Sequence, residues 1–261
     1  MVRLSAVIIT FNEERNIARC LESIGGLCDE IVVVDSFSND NTQKICEQYG
    51  AKFIRNKWPG YTEQKNFANI QANNDHILSL DADEALSPEL RASILRAKES
   101  WTSPAYEMNR LTNYCGKWIR HGSWYPDRQL RLFDRTRGCW KGEKIHEHFV
   151  LSGNEKPGFL KGDILHYSYY TISGHVAQAN HFTDLTAEAA HLKGKNATMW
   201  KVIFSPAFKF MRDYIFKLGF LDGYYGYVVC RISAHATFLK YIKLRELASH
   251  EKKRSNPDEN A

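Results

Sequence analysis

Short runs of apolar, β-branched residues alternate along the first hundred positions with segments whose apolar residues recur at helical spacing. Leu4 to Thr10 is one such run, and its near-continuous hydrophobicity predicts a parallel strand buried on both faces. Ile17, Cys20, Leu21 and Ile24 then fall at i, i+3, i+4 and i+7, which predicts an amphipathic helix with Asn12 as its cap. Ile31 to Val34 reads as a second buried strand ending at Asp35. The turn-rich loop Ser36-Phe-Ser-Asn-Asp40 leads into a helix that runs to Tyr49 and stops at Gly50, a residue suited to the left-handed position after a helix. Lys52 to Ile54 predicts a third strand, Glu63 to Ile70 a short helix, and His76 to Leu80 a fourth strand ending at Asp81. Ser87-Pro88-Glu89 opens a further helix, with a capping serine followed by proline at the first helical position.

This alternation implies βαβ units and an open parallel sheet, hence an α/β fold. Ligands of such sheets bind beyond the carboxyl ends of the strands, where Asp35 and Asp81 both stand. After Ala105 the pattern changes. Tyr106 to Tyr114 and Gln129 to Phe133 alternate with the two-residue period of half-buried strands, separated by Gly-, Pro- and Trp-containing turns. From Ile172 onward the chain reads as helical, aromatic and basic. No repeat and no low-complexity segment interrupts it. The expected division is therefore an α/β domain over residues 1–170, with a donor half to about residue 100, and a helical extension over 171–261 ending in a polar, disordered tail.

Composition narrows the class. An aromatic fraction of 13% within 43% hydrophobic residues supplies material for a sizeable core. The net charge of +5 is spread along the chain and suits anionic small molecules or an anionic membrane surface, while no basic block resembles a nucleic-acid recognition arm. The six cysteines form neither a CxxC pair nor a Cys/His metal spacing. The N-terminus enters a strand directly instead of reading as a signal peptide, and charge interrupts every long apolar stretch, so no spanning helix is expected. The expected compartment is the cytoplasm, with reduced thiols.

Asp81-Ala82-Asp83 is the strongest chemical signal. Carboxylates at the end of a buried strand can let a divalent cation bridge to a diphosphate, and hard oxygen ligands suit Mg²⁺ or Mn²⁺. A solvated acidic turn is the plain alternative; the apolar strand before the motif and the capped helix after it favour function. Asp35 can accept hydrogen bonds from a ribose or base. Its plain alternative is a cap for the following helix, a task for which Asp40 is better placed.

Taken together, Ser5-Ala-Val-Ile-Ile-Thr-Phe-Asn-Glu-Glu-Arg-Asn-Ile-Ala18, Val32-Val-Val-Asp35, Gln64-Lys-Asn66 and Leu80-Asp-Ala-Asp-Glu84 resemble the family 2 glycosyltransferases of the GT-A fold. The resemblance implies that Thr10, Asn12 and Glu14 line a nucleotide-sugar site, that Asp35 and Lys65 contact the nucleoside, and that Asp81 and Asp83 bind the pyrophosphate through metal. The second motif departs from the pattern: Asp35-Ser-Phe-Ser-Asn-Asp40 stands where many relatives carry a second acidic residue and glycine. Further along, Pro126-Asp-Arg-Gln-Leu-Arg-Leu-Phe133, Gly142-Glu-Lys-Ile-His-Glu147 and the aromatic helical region resemble bacterial lipopolysaccharide inner-core β-1,4-glucosyltransferases acting on heptose.

An inverting transfer needs a carboxylate to take the proton from the attacking acceptor hydroxyl. Asp127, Glu143 and Glu147 are the candidates, and the resemblance favours Glu147 because family members carry an acidic base near this position. Asp127 is the rival, with a salt bridge to Arg128 or Arg131 as its plain alternative; for Glu147 that alternative is a partner for a neighbouring histidine. Arg128 and Arg131 either grip phosphates bidentately or form the exposed face of a strand. His166, after Ile164-Leu165, is a candidate strand end and, by resemblance, a further metal ligand; His146 and His148 are ambiguous. In the stretch from Trp200 to Leu244, Phe204, Phe208, Met211, Ile215 and Leu218 recur at alternating four- and three-residue steps among Lys201, Lys209 and Arg212, as in a basic helix lying in a membrane interface. Packing on the main domain or a dimer contact is the plainer reading of part of it.

The resulting expectation is an inverting transfer of a hexose, glucose from UDP-glucose, to an inner-core heptose of lipopolysaccharide at the inner face of the inner membrane. Another sugar or a polyprenyl-phosphate acceptor is the nearest alternative. A nucleotidyltransferase would want a Gly-rich, basic loop after the first strand, where this chain has Phe11-Asn-Glu-Glu14. A non-catalytic nucleotide-sugar binder or membrane scaffold is the alternative outside enzymes.

Overall fold

Leu4–Thr10 (β1) is buried at every position, and its alternating side chains show why the run had to be apolar throughout. Leu4, Ala6 and Ile8 join one core cluster, while Val7 and Ile9 join another on the opposite face. The computed structural model describes residues 1–142 and 147–255 and falls into two units, residues 1–111 with 127–167 and residues 112–126 with 168 onward. The hairpin 112–126 thus groups with the later helices, a division that a single cut near residue 170 does not make.

In the first unit β1 is followed by α1 (Ile17–Ile24), β2 (Glu30–Asp35), α2 (Thr42–Gln48), β3 (Lys52–Arg55), α3 (Tyr61–Ile70) and β4 (His76–Asp81). Ile17, Cys20, Leu21 and Ile24 are the buried face of α1. Its cap position is Asn16, not Asn12, which instead adopts a left-handed φ of 54° and accepts a bond from Asn39 N. The short strand β5 (Glu84–Leu86) and α4 (Pro88–Glu99) come next, and Ser87 Oγ caps α4 by accepting from Leu90 N at 3.2 Å. Such a cap contributes about 1 kcal/mol. β6 (Ala105–Tyr114) enters the second unit, where it pairs with β7 (Lys117–Ile119). The first unit resumes with β8 (Asp127–Asp134), β9 (Gly138–Lys141), β10 (His148–Leu151) and β11 (Gly158–Tyr169).

The main sheet runs β3-β2-β1-β4-β8-β6-β11-β5, and β9 and β10 form a separate hairpin. β3, β2, β1 and β4 are parallel, as the βαβ pattern requires, whereas β8 is antiparallel to β4 and β6 antiparallel to β8. The α/β class is therefore as expected, with an antiparallel half added. Because chain order reverses across β1, the ends of β2 and β4 flank the end of β1: Thr10 is in register with Asp35, and Ile9 with Asp81. Neighbouring strands lie about 4.8 Å apart, so Asp35 and Asp81 stand on either side of one crevice.

The second unit contains α5 (Ile172–Leu192), α6 (Met199–Met211) and α7 (Gly223–Ser255). The stretch from Trp200 to Leu244 is not one helix. α6 holds Pro206, gives way to a π turn over Arg212–Phe216, and reaches α7 through a left-handed Leu218 and a 3-10 turn over Gly219–Asp222. Among the described residues no helix is long and apolar enough to cross a membrane. All six cysteines are free thiols. Of the polar tail expected from Glu251 onward, residues 251–255 continue α7, and the remainder lies outside the described residues.

Candidate active site

The loops after β1 and β2 are stitched together by side chains acting on backbone. Ser38 Oγ accepts from Asn12 N at 2.7 Å, Thr42 Oγ1 from Glu13 N at 2.9 Å, and Glu14 Oε2 from Asn41 N at 3.0 Å. Asp40 Oδ1 accepts from Thr42 N at 3.0 Å at the start of α2, although the cap position itself is Asn41, one residue later. Asn12 and Glu14 thus shape the loops. Asp35, fully buried, accepts from Ser38 N at 2.8 Å and from the Ser38 hydroxyl. Thr10 Oγ1 is buried without a hydrogen-bond partner among the described residues. Two aromatics that the sequence argument passed over, Phe11 and Phe37, are exposed just past the ends of β1 and β2. Phe37 holds a φ of 66°, which is uncommon for a bulky residue and characteristic of functional loops. An aromatic inside a turn-rich loop was the only signal for it.

Around the end of β4 lies a chain of alternating charges. Asp81 Oδ2 accepts from Arg131 Nη2 at 2.8 Å, and Lys65 Nζ stands 3.0 Å from Asp81 Oδ1 and 3.2 Å from Glu147 Oε1. Arg131 Nη2 also reaches Glu84 Oε1 at 3.2 Å; Arg110 stands 3.5 Å from Glu84 and 2.8 Å from Asp127. Trp140 floors the group, with Lys65 Nζ 4.7 Å and the Arg131 guanidinium 5.8 Å from its ring centre. Burial pushes the Asp81 carboxyl up, but Arg131 and then Lys65 outweigh it and hold the group well below the usual carboxylate range.

Several sequence expectations are revised by this arrangement. Arg131 is buried against two carboxylates, so it is not part of an exposed strand face, and its Nε and Nη1 are buried without a hydrogen-bond partner among the described residues. Arg128 is the exposed one, 4.0 Å from Glu107 and 5.2 Å from the Phe159 ring centre. The salt-bridge partner of Asp127 is Arg110, not Arg128 or Arg131. Among the described residues Glu147 pairs with Lys65, whose Nζ stands 3.2 Å from its Oε1. His148 is exposed in β10, while Glu143 and His146 lie outside the described residues. The sequence reasoning missed Arg110 and Trp140, neither of which carries a local motif.

His166 lies inside β11, not at its end; it is in register with Glu84, and its Nε2 stands 3.2 Å from Asp83 Oδ2. Burial opposes its protonation, but the Asp83 carboxylate prevails and raises its pKa. Nδ1 of His166 is buried with no hydrogen-bond partner among the described residues. A divalent cation fits this pair chemically: carboxylate oxygen and imidazole nitrogen are both ligands for Mn²⁺, and Mg²⁺ takes one or two carboxylates with diphosphate oxygens and waters. Among the described residues no group of three or more such side chains gathers, so substrate and water would complete the shell. Asp81 is paired with the cations of Lys65 and Arg131, and Asp83 with His166.

The sequence profile of glycosyl transferase family 2 matches residues 5–153. An uncharacterised glycosyltransferase of Rickettsia typhi is 32% identical over 258 residues, covering 95% of this chain and 88% of its own. The lipopolysaccharide core biosynthesis glycosyltransferase LpsC of Rhizobium meliloti is 30% identical over 250 residues, covering 92% of this chain and 91% of its own. A solved structure of glucosyl-3-phosphoglycerate synthase from Mycobacterium tuberculosis, in complex with Mn²⁺, UDP and glucosyl-3-phosphoglycerate, overlays with a TM-score of 0.36 and 21% identity. That overlay takes in 43% of this chain and 44% of the synthase, less than half of either.

Proposed function

The chain belongs to glycosyl transferase family 2, and from that premise we propose that it is a metal-dependent, inverting hexosyltransferase acting on a lipopolysaccharide core acceptor. The donor is a UDP-sugar, UDP-glucose first, and the acceptor hydroxyl belongs to an inner-core heptose presented at the inner face of the inner membrane. The similarity to LpsC over most of both chains supports the acceptor class. The geometry that carries the reading is the bridge Asp81–Lys65–Glu147, which ties the carboxyl end of β4 to a carboxylate arriving from beside β10.

In this reading Asp35, at the end of β2, takes hydrogen bonds from the nucleoside, with Thr10 Oγ1 a nearby donor awaiting a partner. Asp83 and His166 would hold Mg²⁺ or Mn²⁺, which would offset the charge of the diphosphate. Glu147 accepts the proton of the acceptor hydroxyl as it attacks the anomeric carbon, and Lys65 Nζ, 3.2 Å away, holds that carboxylate in position. Displacement from the face opposite the leaving UDP gives a β-linkage. Both carboxylate oxygens of Asp127 are engaged, by Arg110 and Gln129, which makes it the second candidate.

Thermal unfolding in a panel of nucleotides and nucleotide sugars, with and without Mn²⁺, tests this, because a ligand that binds the native state raises Tm by mass action. Stabilisation by UDP and one UDP-sugar that needs Mn²⁺, and that disappears in Asp83→Ala without loss of the fold, is the expected result. No stabilisation by any nucleotide would favour a non-catalytic scaffold.

A further inference from the structure

In the second unit the usual placement of polar and apolar groups is reversed over one turn. Between α6 and the first turn of α7, the large side chains of Ile215, Phe216, Leu218, Phe220, Leu221 and Tyr224 are all exposed, Phe216 with 71% of its surface. The two acids of the same turn point inward. Asp213 is buried against Lys209 Nζ (2.6 Å), Arg212 Nε (2.8 Å) and Ser123 Oγ (2.5 Å). Asp222 is buried and accepts from the backbone of Arg120 (3.0 Å) and His121 (2.8 Å), with His121 Nδ1 at 3.0 Å.

The backbone of this turn is packed closely against its neighbours. A Cβ on Gly219 would meet Asp213 O at 2.7 Å and Cys230 Sγ at 2.8 Å, and one on Gly226 would meet Gly219 O at 2.0 Å. The backbones of the turn and of α7 therefore touch, and only glycine fits at both positions. The exposed face continues along α6 through Phe208, Phe204 and Trp200, the last 72% exposed and stacked on Phe204. It borders an open groove of about 350 Å³ between α6 and α7, lined by Val202, Ile203, Pro206 and Phe238 with Arg231 and His235. An apolar surface this continuous marks an interaction site.

Its charge identifies the partner. From Met199 to Leu221 the only acid is the buried Asp213, whereas Lys201 and Lys217 are exposed. A surface that offers only apolar groups and cations matches an anionic lipid leaflet, with alkyl and aromatic groups at the acyl boundary and ammonium groups among phosphates. Since no described helix can span a bilayer, attachment is to one leaflet. We infer that the turn over residues 212–224 and the outward face of α6 insert into the headgroup region of an anionic membrane. The inference rests on the proposed membrane-borne acceptor for its purpose, but lipid binding needs neither donor nor acceptor.

Flotation of the full chain with vesicles of phosphatidylcholine alone, or with phosphatidylglycerol added, at low and high salt tests it. The expected result is recovery with the anionic vesicles, weakened by salt. Phe216→Glu with Leu221→Glu should reduce vesicle affinity about tenfold or more, because two inserted side chains become charged. The Mn²⁺- and UDP-dependent thermal shift should stay unchanged in that variant. Lys201→Glu with Lys217→Glu should remove the preference for anionic vesicles. Flotation with neither composition, equal flotation of the variants, or a lipid-free dimer that Phe216→Glu with Leu221→Glu dissociates would overturn the inference. Vesicle binding without any nucleotide-dependent shift would instead remove the transferase reading and leave this one standing.

Discussion

Replacing Lys65 with methionine is the sharpest test of the charge chain. Lys65 is 2% exposed, and its Nζ lies 3.0 Å from Asp81 and 3.2 Å from Glu147, so those two carboxylate oxygens are no more than about 6 Å apart. Methionine keeps the length of the side chain and its contact with Trp140 but removes the charge between them. At an effective dielectric of about 20, two unit charges about 6 Å apart repel by about 3 kcal/mol. Removing one partner of a buried ion pair costs about 3–5 kcal/mol, of the same order. For a chain of this size 1 kcal/mol moves Tm by about 2–4 °C, so Lys65→Met should melt about 6–12 °C lower, or more, at neutral pH. The pH dependence has a definite sign. Asp81 is held below its unfolded value by Arg131 and Lys65, so the stability it supplies is complete above pH about 4 and is lost as pH falls toward the folded pKa. The gap between wild type and variant should therefore narrow in acid. Melting curves from pH 7 down to pH 3, read by circular dichroism, measure both quantities. A neutral-pH difference below about 1 kcal/mol, or a gap that does not change with pH, would refute the coupling.

Glu147→Gln should leave nucleotide- and metal-dependent stabilisation intact while cutting transfer about a hundredfold or more; retained transfer, with the loss appearing in Asp127→Asn, would move the base to Asp127. Gly162→Ala should destabilise the first unit by about 2 kcal/mol or more, because φ is +98° and the new Cβ would lie 2.2 Å from Leu90 N; an unchanged Tm would contradict that packing. His175 is buried with its Nδ1 3.0 Å from the Tyr114 hydroxyl, and burial pushes its pKa down to about 4 from the ordinary 6.5. It is neutral in the fold, so acidification from pH 6.5 to about 4 protonates the unfolded chain first and removes about 3 kcal/mol. His175→Gln should flatten the dependence of Tm on pH over that window, and an unaltered slope would assign it to other groups.

The parallel half of the sheet was legible residue by residue, because its information is local. A short, near-continuous and β-branched run such as Leu4–Thr10 suits a strand covered on both sides, and the 3.6-residue spacing of Ile17, Cys20, Leu21 and Ile24 suits a helix with one buried face. Ser87-Pro88 carries the start of α4 in two residues. From the order of strands alone, Asp35 and Asp81 follow at the carboxyl edge.

What the sequence could not reveal is which charges meet. Arg131 reads locally as a polar position in an alternating strand, yet β8 lies against β4 and carries it to Asp81 and Glu84. Lys65 and Glu147 are separated by 82 positions and meet only because α3 and the segment before β10 converge. His166 faces Asp83 because β11 runs antiparallel to β5, a strand too short to show a period. The aromatic stretch around Phe204 and Ile215 showed a helical rhythm, but Gly219, Gly226 and the buried Asp213 break it into a turn and leave those side chains exposed. Periodicity determines which face of a single element is apolar. Ion pairs between elements depend on register and on the removal of water from both partners, and those conditions exist only once the chain has folded.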